Sequence, residues 1–427
     1  MKKDGCMGRN TMFLSAFLFL FVLGVFGIGL RYVGSGDLVP NELLPVAIIQ
    51  GQSFYFDDFV TDKDAVPYYY VNVKGRIVSA YPVIPGLLNL PVFFVAHVFG
   101  VDLLKNVRLL SLLSSLLISS ASVVFMFLCL TKVCRRQSTA VFFSLVYAFA
   151  TCVWSVACRG IWQHGPSLLF ITSALFLLFC KKGNLLLYAG FFFGMAVFNR
   201  PTNAMLVLPM TLYVFKHRRE KFKWYLACLV VPIALLCWYS WAYLGNVFLL
   251  GQGQRFRVTD DFWLGLAGLL ISPNRGLFVF SPVLIFSVFY LIWLTIKKDA
   301  EPVYRYMAAA VILLIGVCAL WASWWGGHCF GYRLLIETIP MLIIFVSLCW
   351  EDFIADRIFL KAIFYGLLFF SVYFNFLGAF LYSGEFNNRP NDIDSNVERL
   401  WDIKNGELAR DSLKLLRLVS EVFQREK

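Results

Sequence analysis

From residue 12 to residue 382 the chain is a succession of apolar runs, each nearly free of charge at its centre and separated from the next by a short polar segment. A helix needs about 20 apolar residues to cross the hydrocarbon core of a bilayer, and the recurring runs are of that order. Inside lipid every backbone N–H and C=O must be satisfied within the protein, which leaves helices for a chain patterned like this one. Composition agrees: 59% of the 427 residues are hydrophobic, 44 are Phe, and only 15% are charged, against roughly 25% charge in a soluble domain. The mean hydropathy is +0.71. The fold class that follows is all-α, a polytopic integral membrane protein with about eleven transmembrane helices.

Basic residues orient the runs, because Lys and Arg collect in cytoplasmic loops. Spans are expected at 12–31, 106–130, 138–158, 167–180, 185–198, 202–215, 224–245, 277–296, 305–323, 334–350 and 358–382. The even-numbered spans end near Lys132, Arg135 and Arg136, then Lys181 and Lys182, then Lys216 to Lys223, then Lys297 and Lys298, and last Arg357. This places the N-terminus inside, with 12–31 read as a retained first span rather than a cleaved signal peptide. Residues 1–382 form the transmembrane domain. Within it, 32–105 is a first outer loop with juxtamembrane helices at about 40–50 and 86–99, and 262–271 is an interfacial helix. Residues 383–427 form a short outer tail. The net charge of +12 is accounted for by these loops, so no nucleic-acid partner is implied. The eleven cysteines form no CxxC pair or ligand cluster; a Cys158–Cys329 disulfide is the one pairing that loop placement suggests.

The polar residues of the outer segments are the candidates for chemistry. Asp37 follows the first span, where partial burial makes a carboxylate a usable base, or where it caps the helix at 40–50. Asp57, Asp58, Asp62 and Asp64, around Lys63, read as a solvated loop, with a divalent cation as the sharper alternative; no cofactor is required and no metal ligand is assigned. Lys74 and Arg76 precede Tyr81 and the segment at 86–99, and could meet a phosphate or lipid headgroups. The loop with Trp162, Gln163 and His164 offers a base, a phosphate ligand or a structural His. Arg200, Arg275 and Arg333 approach the interface from Gly- or Pro-bearing turns, and boundary arginines need partners. A lipid phosphate is one; for Arg333, Glu337 at i,i+4 is another. The loop after 245 adds Gln252, Gln254, Arg255 and Arg257.

Read in order over about residues 12–350, these features resemble the GT-C glycosyltransferases, in particular the bacterial relatives of protein mannosyltransferases and of the aminoarabinose transferase of lipid A. The residues that carry the resemblance are the acid after the first span, Asp37; a Pro-rich start to a juxtamembrane helix, Tyr81-Pro82-Val83-Ile84-Pro85; Arg108 opening the second span; the turn Arg200-Pro201; and Gly331-Tyr332-Arg333 ahead of Pro340. Gln163 and His164 stand where relatives often have a second acid, and Tyr81 stands where they have Lys.

The resemblance implies transfer of a sugar, with inversion, from a polyprenyl-phosphate carrier to a glycan, lipid or protein acceptor at the outer face of a membrane, by expectation the bacterial inner membrane. Asp37, with His164 as substitute, would be the base. Arg200, Arg275 and Arg333 would meet the departing phosphate, and Trp162, Trp324 and Trp325 would stack on sugar rings. Two rivals are a flippase or transporter, which would show an internal repeat and mid-span charges, and a surface-polysaccharide polymerase or ligase, which would not need Asp37.

Overall fold

A computed structural model describes residues 8–51, 54–62, 65–180, 184–247 and 257–425. The expectations that concern Lys63, Asp64, Lys181, Lys182, Gln252, Gln254 and Arg255 lie outside the described residues. The chain is helical almost throughout. In order come α1 (Arg9–Gly27), α2 (Val39–Ile49), the strands β1 (Tyr70–Val73) and β2 (Arg76–Ser79), α3 (Ile84–Val98), α4 (Val107–Val133), α5 (Gln137–Phe149), α6 (His164–Phe179), α7 (Leu185–Asn199), α8 (Ala204–His217) and α9 (Arg219–Leu244). They are followed by α10 (Phe262–Ile271), α11 (Leu277–Phe280), α12 (Ile285–Ile296), α13 (Pro302–Ala319), α14 (Ile339–Cys349), α15 (Ile358–Phe380), α16 (Glu385–Asn388) and α17 (Glu407–Arg425).

Proline sets many of the boundaries. Pro40, Pro85, Pro302 and Pro340 sit in the first turns of α2, α3, α13 and α14, where a missing N–H costs nothing. Pro201 forces Arg200 into an extended backbone, φ −151°, and so separates α7 from α8. The expected run at 277–296 is interrupted by a 3₁₀ turn at Pro282–Leu284 for a related reason: proline has no N–H for the helix ladder. The run at 138–158 stays α-helical only to Phe149 and ends in a π-turn at Val153–Ala157. Among the described residues six helices are long and apolar enough to cross a membrane, and the remaining apolar helices are shorter. The eleven spans expected are therefore not uniform helices. The chain is an integral membrane protein.

The chain divides into two compact units. The first holds residues 1–140, 157–256 and 302–310. Its helices pack in series, α1 on α4, α4 on α6, α6 on α7 and α7 on α9. The α7–α9 contact is backbone-close: a Cβ added at Gly190 would lie 2.3 Å from Tyr225 O, and one at Gly194 2.4 Å from Leu229 O. This is a G-x-x-x-G face of the kind that lets membrane helices approach. Asn89 Nδ2 donates to Ser111 Oγ at 2.9 Å, and Gly86 N donates to Asn41 Oδ1 at 3.2 Å, which ties α3 to α4 and to α2. At one end of the unit Gln137 donates to Thr11, and Tyr213 and His217 pack against the Tyr306 ring at a tilt and edge-on. The opposite end carries the segments that follow α1, precede α6 and follow α7. The antiparallel hairpin β1–β2 was not expected. It closes through Lys74 and Gly75, both at positive φ (+52° and +83°), the twist that two-residue hairpin loops favour.

The second unit holds residues 141–156, 257–301 and 311–427. Its centre is α14, buried along its whole length. Rings of Phe142, Phe143, Trp350 and Phe364 cluster at 4.9–6.2 Å. Asn375 accepts from Ser155 Oγ at 2.8 Å and donates to Phe280 O at 3.1 Å. The expected outer tail is folded onto this unit: Ser272 Oγ donates to Leu400 O, and Asn274 Nδ2 donates to the carbonyls of Leu400 and Asp402. Cys158 and Cys329 are both buried thiols, so the suggested disulfide is not formed.

Candidate active site

In the first unit, Asp37 sits in a 3₁₀ turn, Gly36–Leu38, immediately before α2. Its Oδ1 accepts from Tyr81 Oη at 2.7 Å and from Tyr68 Oη at 3.0 Å. Tyr81 is buried and Tyr68 half-exposed, so a carboxylate at the boundary is held from two sides. Gly36 makes this possible, because a Cβ there would meet Tyr68 Oη at 2.4 Å. The hairpin supplies the second element: Ser79, at the end of β2, fixes Tyr81 through Ser79 Oγ. Asp37 is not the cap of α2, which begins at Val39 with no side-chain cap at Leu38.

The loop from Arg159 to Gln163 runs alongside. Val33 N donates to Arg159 O at 2.8 Å, the Arg159 side chain is fully buried with Nη1 donating to Phe26 O, and Gly160 packs on Leu38. Trp162 is buried, its ring centroid 6.3 Å from that of His164. His164 opens α6, and its Nδ1 lies 3.2 Å from Arg200 Nη1. A guanidinium only donates, so Nδ1 accepts and the imidazole proton resides on Nε2. With Nδ1 accepting from Arg200, Nε2 is the donor nitrogen of His164. Gln163 contributes its backbone: its O accepts from Asn199 Nδ2 at 2.6 Å, which also donates to Ser167 Oγ at 2.7 Å, and Asn203 donates to the same oxygen. These bonds pin the Arg200-Pro201 turn to the first turn of α6.

Behind Asp37, Glu42 on α2 is buried and accepts from Tyr32 Oη at 2.6 Å. Burial raises its pKa to about 7, opposed by the Tyr32 hydrogen bond and the charge of Arg108. Arg108 lies 5.8 Å from the Tyr32 ring. Sequence reasoning passed over Glu42, Tyr32 and Tyr68; only the closeness of Glu42 to Asp37 in the chain pointed to the first.

Several expected ligands have other partners. Arg76 pairs with Asp57 at 3.3 Å and stacks over the Tyr55 ring at 4.1 Å, so it closes its own loop. In the second unit Arg275 is fully buried, with bonds to Trp325 O, Asn274 O, Gly327 O, Asn387 Oδ1 and Glu407 Oε2. Five N–H donors meet five acceptors, which leaves none for a phosphate and corrects the expectation. Arg333 donates to Gly326 O at 2.7 Å, and Glu337 is fully buried. The Arg333–Thr338 segment that carries both residues is a 3₁₀ turn leading into α14. Trp324 is buried over Gly268, and Trp325 donates to Asp394 Oδ1 at 2.7 Å.

Among the described residues, a group of side chains that could hold a metal ion is formed by His328, Asp392 and Asp394. His328 Nε2 lies 3.1 Å from Asp392 Oδ2 and 3.8 Å from Asp394 Oδ2. This donor set could hold a divalent cation.

The solved structures that resemble the chain include two membrane proteins. ArnT from Cupriavidus metallidurans, bound to undecaprenyl phosphate, superposes with a TM-score of 0.53 at 13% identity, over 80% of this chain and 60% of that one. The oligosaccharyltransferase of Archaeoglobus fulgidus, in complex with zinc and sulfate, gives 0.52 at 11% identity, over 93% of this chain and 58% of that one. This chain thus spans about three fifths of the length of each. No family model and no curated protein matches the sequence. The chain shares its fold with these two proteins.

Proposed function

We propose that this protein is an inverting glycosyltransferase that takes a sugar from a polyprenyl-phosphate carrier and delivers it to an acceptor hydroxyl at the non-cytoplasmic face of the membrane. The observation that carries the reading is that one unit holds both Asp37, oriented by Tyr68 and Tyr81, and the contact of His164 with Arg200, joined through the loop from Arg159 to Gln163 that packs beside Leu38. A base and a pair of donors that includes a cation are the two groups that such a transfer needs. The undecaprenyl phosphate bound to ArnT supports a lipid carrier.

In the reaction, the acceptor oxygen bonds to the anomeric carbon as the bond from that carbon to the phosphate oxygen breaks. The acceptor proton passes to a carboxylate oxygen of Asp37. The carrier phosphate leaves with one more negative charge, met by the Arg200 guanidinium and His164 Nε2–H, donors fixed before the reaction begins. The neighbouring apolar helices offer the prenyl chain an environment like lipid. No step is assigned to His328, Asp392 and Asp394, which belong to the second unit.

The test is donor choice. Protein reconstituted in vesicles is expected to transfer sugar from a polyprenyl-phosphate donor and to ignore the matching nucleotide sugar. Ready transfer from the nucleotide sugar alone contradicts the proposal.

A further inference from the structure

α17 is built unlike every span before it. On the helical period Leu415, Leu418, Val419 and Val422 fall on one face, with Leu416 at its edge, while Arg410, Lys414, Arg417 and Glu421 fall on the other. In a chain packed only on itself the apolar side would be covered. Here Leu416, Leu418, Val419 and Val422 are 65%, 44%, 45% and 57% exposed.

The attachment of the helix says what covers that side. Tyr373 Oη donates to Ser412 Oγ at 3.0 Å, and Lys414 Nζ donates to Leu381 O at 3.2 Å. Both contacts fall on the last turns of α15, a membrane-crossing helix by length and composition. Tyr373 stacks on Phe369 with planes 6° apart, and Phe369 and Phe370 are 64% and 49% exposed. The flank of α15 that receives α17 thus carries exposed aromatic rings, toward the C-terminal end of that helix. A 19-residue helix, about 28 Å long, is held there at its N-terminal half.

We infer that α17 lies along the bilayer surface beside the end of α15, its apolar face among the acyl chains and its cationic face, through Lys414 and Arg417, against the phosphates of anionic lipid. Charge agrees, since the exposed polar face carries Lys414 and Arg417 against Glu421. An amphipathic helix with cations on its polar side is the form that binds such an interface. The inference is independent of the proposed reaction.

The experiment uses the full chain in nanodiscs, with the photocrosslinker benzoylphenylalanine placed in turn at positions 416, 419 and 421. Illumination at 416 and 419 is expected to give lipid adducts by intact mass, several-fold more than at 421. Adding phosphatidylglycerol to phosphatidylcholine discs is expected to raise the yield at 419, and Arg417→Ser to reduce that gain. A crosslinked dimer at 416 or 419 assigns the face to a second copy and overturns the inference. Equal yields at 419 and 421, or indifference to phosphatidylglycerol, overturn it as well.

Discussion

Asp37 depends on three small facts of sequence: the end of a span, a glycine before it that admits Tyr68, and Tyr81 just before α3. The acid and Tyr81 were legible as residues; their hydrogen bond was not, because it joins positions 44 apart through a hairpin that the hydrophobic pattern does not announce. Tyr81→Phe removes one bond to a charged group and is expected to lower kcat about tenfold or more, with protein level unchanged. Arg275 shows the opposite case. Its sequence context suggested a phosphate ligand, yet its partner Glu407 lies 132 residues away, beyond any local reading. Arg275→Ala strands a buried carboxylate and is expected to cost about 3–5 kcal/mol of stability, measured by thermal unfolding in detergent, whereas a loss confined to donor binding contradicts the structural role. Glu42 titrates near neutrality. Its pKa rises from 4.5 unfolded to about 7 folded, so the folded state binds the proton more tightly. Its contribution to stability is whole at low pH and lost as pH rises from about 4.5 to about 7, by up to about 3 kcal/mol. Glu42→Gln is expected to flatten that part of the stability profile; an unchanged slope contradicts the assignment.

At the scale of elements, the apolar runs and prolines foretold most helices, with α10 at 262–271 as read. The failures have causes. Apolar length does not reveal where Pro282 interrupts a run or where a helix passes into a π-turn. The hairpin was hidden because Lys74-Gly75 is a weaker turn signal than Asn-Gly. The Gly190–Gly194 spacing was present in the chain and unread; it is what brings α7 and α9 together. Gly194→Leu would drive a side chain into Leu229 O and is expected to cost about 1–3 kcal/mol in a thermal-shift assay. Gly316→Ala, with nothing within 4 Å of its added Cβ, is expected to be neutral or better.

For the whole molecule, the basic clusters order the spans as the positive-inside rule requires. Within the first unit, Thr11 contacts Gln137 and Tyr213 contacts Tyr306 at the ends of helices on one side of the chain's connections, while Asp37, His164 and Arg200 belong to segments at the opposite helix ends. We expect a periplasmic reporter fused after residue 427 to be active, and a cytoplasmic one silent. The central claim is narrower: Asp37 takes the proton in transfer from a lipid-linked donor. The direct measurement is the rate of sugar transfer from a polyprenyl-phosphate donor by Asp37→Asn and by the parent protein, at equal levels in vesicles, with Asp58→Asn as control. Asn keeps the size and the hydrogen-bond acceptor that Tyr68 and Tyr81 use, and removes the base. A fall of about a hundredfold or more, with the control near normal, is the expected result; transfer by Asp37→Asn at the parent rate would contradict the account.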